Sequence, residues 1–137
     1  MKTYTYDVEV RFRDTDNLGH INNAVYLTYV ESCRTHFCDE VLGFPVFSTG
    51  SKIPIILARA EIDFLAQGYL HHKIKVKSNI SHVGTKSFRQ DYEVTAGDEV
   101  LARSSAVLVW FDFAANASVK IPDDVRQKLN EYLRPTK

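Results

Sequence analysis

The sequence predicts an α+β domain in which one antiparallel sheet carries a long helix on one face. Three observations lead there. Five segments alternate apolar and polar residues with the period of a strand, one segment repeats apolar residues with the period of a helix, and the order is strand, long helix, four strands, short helix. No repeat, low-complexity stretch or linker interrupts that order, so residues 1–137 are expected to form a single domain.

The first strand pattern sets Tyr4, Tyr6, Val8, Val10 and Phe12 against Thr5, Asp7, Glu9 and Arg11. The helix is predicted from Asn23 to Leu42. Asn22 or Asn23 is available as its cap, Tyr26, Tyr29, Val30, Cys33, Phe37 and Val41 form its apolar stripe, and Gly43 stops it. Residues 44–53 contain Pro45, Ser48, Thr49 and Gly50 and read as a loop. Four strands follow. Ala58, Ala60, Ile62 and Phe64 mark one, Ile74 and Val76 the next, and Phe88, Tyr92 and Val94 the third. The last, Ala102 to Phe113, is apolar on both faces near residues 106–111 and is expected to be interior. Gly68, Gly84 and Gly97 punctuate the turns between them, and Asp123 or Asp124 opens a short helix carrying Val125, Leu129, Tyr132 and Leu133. One helix cannot cover both edges of such a sheet, so a homodimer or homotetramer is expected.

Composition narrows the function classes. The 17 basic and 17 acidic residues balance, which gives no electrostatic footprint for nucleic acid. No apolar run approaches the roughly 20 residues of a membrane span. The opening Met1–Tyr6 passes straight into strand alternation, so no signal peptide is expected and the location is read as cytoplasmic. Cys33 and Cys38 both fall in the predicted helix, about 7.5 Å apart along its axis, too far for an unstrained bridge, and are read as reduced core thiols. His71, His72 and His82 lack metal-ligand spacing with any cysteine or carboxylate cluster, so no metal is expected.

The segment Asp14-Thr15-Asp16-Asn17-Leu18-Gly19-His20-Ile21-Asn22-Asn23-Ala24-Val25-Tyr26 concentrates the chemistry. It joins the first strand to the long helix, and a helix start offers unpaired backbone N–H groups and a partial positive charge. A carboxylate beside it can attack a carbonyl whose oxygen rests on those N–H groups, or activate water toward it, which points to acyl chemistry. Read without the flanking motif, Asp16 is a turn or loop carboxylate and Asp14 a brace for the loop, while Tyr26 is equally a core residue or a pocket residue. Lys73, Lys75 and Lys77 line one strand face and are read as solvated, while Lys86, beside Gly84 and Ser87, is the better partner for a phosphate.

Asp14, Asp16, Gly19, Asn22, Asn23, Tyr26, Glu31 and Arg34 together resemble the motif of hotdog-fold thioesterases of the 4-hydroxybenzoyl-CoA thioesterase family. The resemblance implies a hotdog fold, an antiparallel five-stranded sheet wrapped on a long central helix. It implies hydrolysis of acyl-CoA to free acid and CoA, with Asp16 as base or nucleophile and the N–H near Asn23 holding the thioester oxygen. No cofactor is implied, since CoA belongs to the substrate. His20 begins a string similar to that of plant acyl-carrier-protein thioesterases, where the matching histidine assists catalysis; here it either orients water or bonds the turn. In that family an asparagine follows the aspartate by two residues, and Leu18 stands there instead. Tyr26 is a candidate for the acyl pocket. Gly84-Thr85-Lys86-Ser87-Phe88 resembles the family's strand start near the CoA surface, which makes Thr85, Lys86 and Ser87 substrate-binding candidates. The alternatives are an acyl-carrier-protein thioesterase, a hotdog module that binds acyl-CoA without turnover, and a dehydratase or hydratase on the same scaffold.

Overall fold

The computed structural model describes residues 1–135. Five long strands form one antiparallel sheet: β1 (Tyr4–Val8), β2 (Ile55–Phe64), β3 (Ile74–Val83), β4 (Ser87–Ala96) and β5 (Glu99–Asp112). Their spatial order is β1-β3-β4-β5-β2, and a two-residue β6 (Ala117–Ser118) pairs with the end of β5. Helix α1 (Asn23–Glu40) packs against β1, β3 and β4, a short α2 (Val46–Thr49) follows it, and α3 (Asp123–Glu131) closes the far end. The curled sheet around one long helix is the hotdog arrangement.

Helix and sheet meet through the predicted stripe, with Cys38 added and Val41, at the helix cap, only partly buried. Tyr26, Tyr29, Val30, Cys33, Phe37 and Cys38 of α1 are buried against Val76, Ile80, Phe88, Tyr92, Val94 and Leu108. The strand residues in that set lie two or four positions apart within each strand, with buried Ser78 and Gln90 between them, as a sheet with one face on the core requires. The opposite face carries charge: Lys75 pairs with Asp7 at 2.9 Å and Arg103 with Glu93 at 3.0 Å. The lysine trio thus belongs to the solvated face. Arg34 is a charged residue on the inside, with its Nε donating to the buried Tyr92 hydroxyl at 3.1 Å. Burial pushes the Cys33 and Cys38 thiols up to about 12, which leaves them neutral and unreactive near neutral pH.

Several features differ from the sequence expectation, and α1 ends at Glu40 rather than Leu42. The first strand ends at Val8 rather than Phe12, because Phe12–Asp14 close a single 3-10 turn in which the Arg11 amide donates to Asp14 Oδ2 at 2.9 Å. That turn leaves Phe12 81% exposed instead of in the core. The 44–53 loop contains α2, whose Phe47 amide is held by Asp39 of α1. Strand β5 is interior in position, between β4 and β2, yet Val107 and Val109 are only half-buried, since no layer among the described residues covers the outer face.

Strand β2 forms an edge. It is ten residues long, and Ile56, Leu57 and Phe64 along it are 38%, 47% and 44% exposed. A long edge with exposed apolar residues is a template for pairing with another chain.

Candidate active site

The Asp14–Asn22 loop is built from its own side chains. Asp14 ends the 3-10 turn with its side chain 3% exposed. It accepts from the Arg11 amide, from Arg11 Nη2 at 3.3 Å and from the buried Tyr29 hydroxyl at 2.9 Å. Burial by itself would raise its pKa; these donors outweigh burial and hold it below the ordinary carboxylate value. The Asp14 carbonyl also accepts the Asn22 N–H at 2.9 Å, and Thr15 bridges Ile21, so the two arms of the loop lie side by side. Asp14 is the brace.

Asp16 sits on the exposed side of that pinned loop. Its Oδ1 accepts the Leu18 amide at 2.9 Å and the His20 amide at 3.1 Å. Its backbone closes the turn, with Gly19 N–H to the Asp16 carbonyl at 3.1 Å and Asp16 N–H to the His20 carbonyl at 2.8 Å. Gly19 takes φ +79°, a conformation that costs a glycine little. One carboxylate oxygen is thus committed to the turn, and among the described residues no hydrogen bond reaches Oδ2. Both readings of Asp16, turn former and reactive carboxylate, fit one residue with two oxygens.

The helix start adjoins the loop. Asn22 is the cap, its side chain accepting from Ala24 N–H at 3.0 Å, and Val25 N–H turns back to the Asn22 carbonyl at 2.9 Å. The N–H of Asn23 is left without a partner among the described residues. It is a first-turn amide at the positive end of an 18-residue helix.

Tyr26 belongs to the core, only 2% exposed, with its ring edge-on to Phe64 at 5.7 Å. Burial raises its pKa, opposed by the Gly68 amide that lies against its hydroxyl. The His20 ring takes no hydrogen bond among the described residues. Its neighbour is the Tyr69 ring, edge-on at 5.1 Å.

Residues 68–72 were not in the sequence-derived site. They form a strap over the loop: the Gly68 carbonyl accepts the Ile21 N–H at 2.8 Å, and Tyr69 pairs with His20 as an isolated antiparallel bridge. Gly68 reads in sequence as a turn glycine, and nothing in the spacing ties residue 20 to residue 69.

Thr85, Lys86 and Ser87 lie elsewhere. Their hairpin is fixed by Gly84 N–H to the Ser87 carbonyl at 2.7 Å and by Arg126 of α3, which donates to the Gly84 and Thr85 carbonyls. Lys86 is exposed, and its carbonyl accepts from Trp110, which pairs with Ile55 at the start of β2. Asp16 belongs to the other end, where Phe64 contacts Tyr26 and Gly68 holds Ile21. Ten residues of β2 separate the two, about 30 Å, so one chain does not bring Lys86 to Asp16. No group of histidine, cysteine and carboxylate side chains among the described residues is arranged to hold a metal ion, and no helix there is long and apolar enough to cross a membrane.

Comparison with known proteins agrees with the fold. The model of the thioesterase-like superfamily matches residues 10–129. A 1,4-dihydroxy-2-naphthoyl-CoA hydrolase of Nostoc punctiforme is 26% identical, covering 96% of this chain and 90% of that protein. A predicted thioesterase from Bacillus stearothermophilus superposes with a TM-score of 0.89 at 28% identity, covering 99% of this chain and 100% of the other. A thioesterase from Thermus thermophilus, solved with coenzyme A and zinc, gives a TM-score of 0.82 at 32% identity over 96% of each chain.

Proposed function

The chain belongs to the thioesterase-like superfamily and is a thioester hydrolase, and from that premise we propose that it cleaves acyl-CoA to the free acid and CoA at the Asp16 turn. One observation carries the reading: a carboxylate with an uncommitted oxygen stands on a loop pinned beside an unused helix-start amide. In the proposed reaction the thioester oxygen rests on the Asn23 N–H. Asp16 either adds to the carbonyl carbon or takes a proton from water that adds there. The oxyanion collapses, the carbon–sulfur bond breaks, and the departing CoA thiolate takes up a proton. Asp16 as nucleophile would leave a mixed anhydride for water to open; as base it needs no such intermediate. His20, whose amide and carbonyl both bond Asp16, is the candidate to orient the water. The carrier is read as CoA because the Nostoc protein's name specifies a CoA thioester and the Thermus structure holds coenzyme A.

The test is a panel of aliphatic and aromatic acyl-CoAs with free thiol as the readout, run beside the same acyl groups on acyl carrier protein. Thiol release from CoA substrates is the expected outcome. Release only from the carrier protein moves the assignment to the acyl-carrier-protein class. Binding without any release makes the domain a sensor.

The same reading includes a second copy. Two β2 edges paired antiparallel about a two-fold axis cover the exposed Ile56, Leu57 and Phe64 and remove the open edge. That pairing sets the Ile55 end of one copy beside the Phe64 end of the other, so the Thr85–Ser87 turn of a second copy approaches Asp16. Lys86 would there meet a CoA phosphate as a partly solvated cation. Light scattering at micromolar concentration is expected to return at least twice the 15.6 kDa chain mass. A stable monomer would remove the composite site and, with it, the phosphate role of Lys86.

A further inference from the structure

We propose that Tyr69 is a positioning residue for hydrolysis: it holds the His20 imidazole and the Asp16 turn in place, and Gly68 clamps the strap that carries it. This rests on the reading of Asp16 and His20 given above.

The geometry begins with what holds His20. Its N–H and carbonyl both point into the Asp16 turn, at 3.1 Å to Oδ1 and 2.8 Å from the Asp16 amide. The main chain is therefore tied to Asp16, while the ring, free of hydrogen bonds among the described residues, is oriented only by packing. The edge-on Tyr69 ring, at 5.1 Å and 76°, is the aromatic neighbour that packs on it. The backbone bridge between the two residues means that movement of the strap moves the turn and the imidazole together.

Tyr69 is itself fixed from both sides. Its N–H donates to His72 Nδ1 at 3.1 Å, its carbonyl accepts the His72 N–H at 3.0 Å, and the His72 ring stands edge-on to it at 5.3 Å. On the other side, Gly68 leaves no room for movement. A Cβ there would come within 2.6 Å of the Tyr26 hydroxyl oxygen, 2.7 Å of Ile21 Cδ1 and 3.2 Å of Leu101 Cδ1. The first two atoms belong to buried side chains, Tyr26 on the helix and Ile21 on the loop. Gly68 is the close approach that presses the loop against the first turn of α1, and so sets the placement of Asp16 relative to the Asn23 N–H. Catalysis by positioned groups is sensitive to displacements on the scale of 1 Å.

Two variants and two readouts test this. Tyr69→Leu keeps the backbone bridge and removes the ring; Tyr69→Phe keeps the ring and removes only the hydroxyl. In Tyr69→Leu, kcat on an acyl-CoA is expected to fall about tenfold or more with KM within about twofold. The imidazole C–H signals of His20 in a two-dimensional carbon–proton spectrum are expected to leave their wild-type positions, because the neighbouring ring current is gone. Tyr69→Phe is expected to restore both the rate and the signals. Undiminished kcat in Tyr69→Leu overturns the proposal, as does a fall in kcat with the His20 signals unmoved. If Tyr69→Leu does not fold, Tyr69→Met takes its place with the same two readouts and the same overturning results; loss of kcat in Tyr69→Phe with unmoved His20 signals assigns the effect to the hydroxyl and overturns positioning by the ring. Asp16→Asn measured alongside separates the two readings. Full activity in that variant overturns the site itself, whereas full activity in Tyr69→Leu overturns only the part given to Tyr69.

Discussion

Replacing Asp16 by asparagine is expected to lower kcat on acyl-CoA by at least about a hundredfold while leaving the fold intact, since a positioned acid or base contributes on the order of 10²–10⁴ in rate. Asparagine is the informative replacement because of what Oδ1 does. The Leu18 and His20 amides donate to that oxygen, and an amide oxygen accepts both bonds as a carboxylate oxygen does. The turn therefore survives, and only the charge and basicity on the other oxygen are lost. KM should change little, because the interaction removed is made in the transition state rather than in the bound ground state. Asp16→Ala removes the turn acceptor as well, so its effect mixes loop disorder with lost chemistry. Comparable loss in both variants, with unchanged circular dichroism for Asp16→Asn, places the effect in the reaction. Hydrolysis by Asp16→Asn at the wild-type rate would show that the reactive carboxylate lies elsewhere.

The reach of the sequence follows from which interactions are local. The helix was legible because its cap, stripe and stop lie within one stretch, from Asn22 to Gly43, where φ is +84°. The strand order of alternating segments was legible for the same reason. The end of β1 was not, because alternation continues through Phe12 while the Asp14 side chain, two residues on, folds the chain into a 3-10 turn. Local hydrogen bonding by an aspartate can override a strand pattern that offers it no partner. The Asp16 turn and the helix start were legible as one motif; the strap of Gly68 and Tyr69 was not. Its contacts join residues nearly fifty positions apart, and neither a glycine at a turn nor a tyrosine before two histidines signals them. Lys86 shows the converse limit. The segment 84–88 resembles a substrate-binding element, yet its distance from Asp16 is set by the long-range pairing of β2 with β5, which no local pattern reveals.

Asp14 carries the second large expected effect, on stability rather than rate. Asp14→Ala leaves the buried Tyr29 hydroxyl and the Arg11 amide without their acceptor, and it frees the turn that places Asp16. Breaking a buried, hydrogen-bonded carboxylate in this way costs about 3 kcal/mol, roughly 10 °C in Tm for a domain of this size. Asp14→Asn keeps one acceptor oxygen and should lose less, about 1–2 kcal/mol. The pH dependence has a definite sign. The folded-state pKa of Asp14 lies below its ordinary value, because the donors from Arg11 and Tyr29 outweigh the upward push of burial. Its contribution is therefore fully present above the unfolded carboxylate pKa of about 4 and is lost as the pH falls through the lower folded value. The Tm difference between wild type and Asp14→Asn, followed by thermal denaturation, should stay constant from pH 7 down to about 5 and shrink below about 4. A difference that instead grows on acidification would mean that Asp14 is protonated in the fold and that Tyr29 is held by something other than its charge.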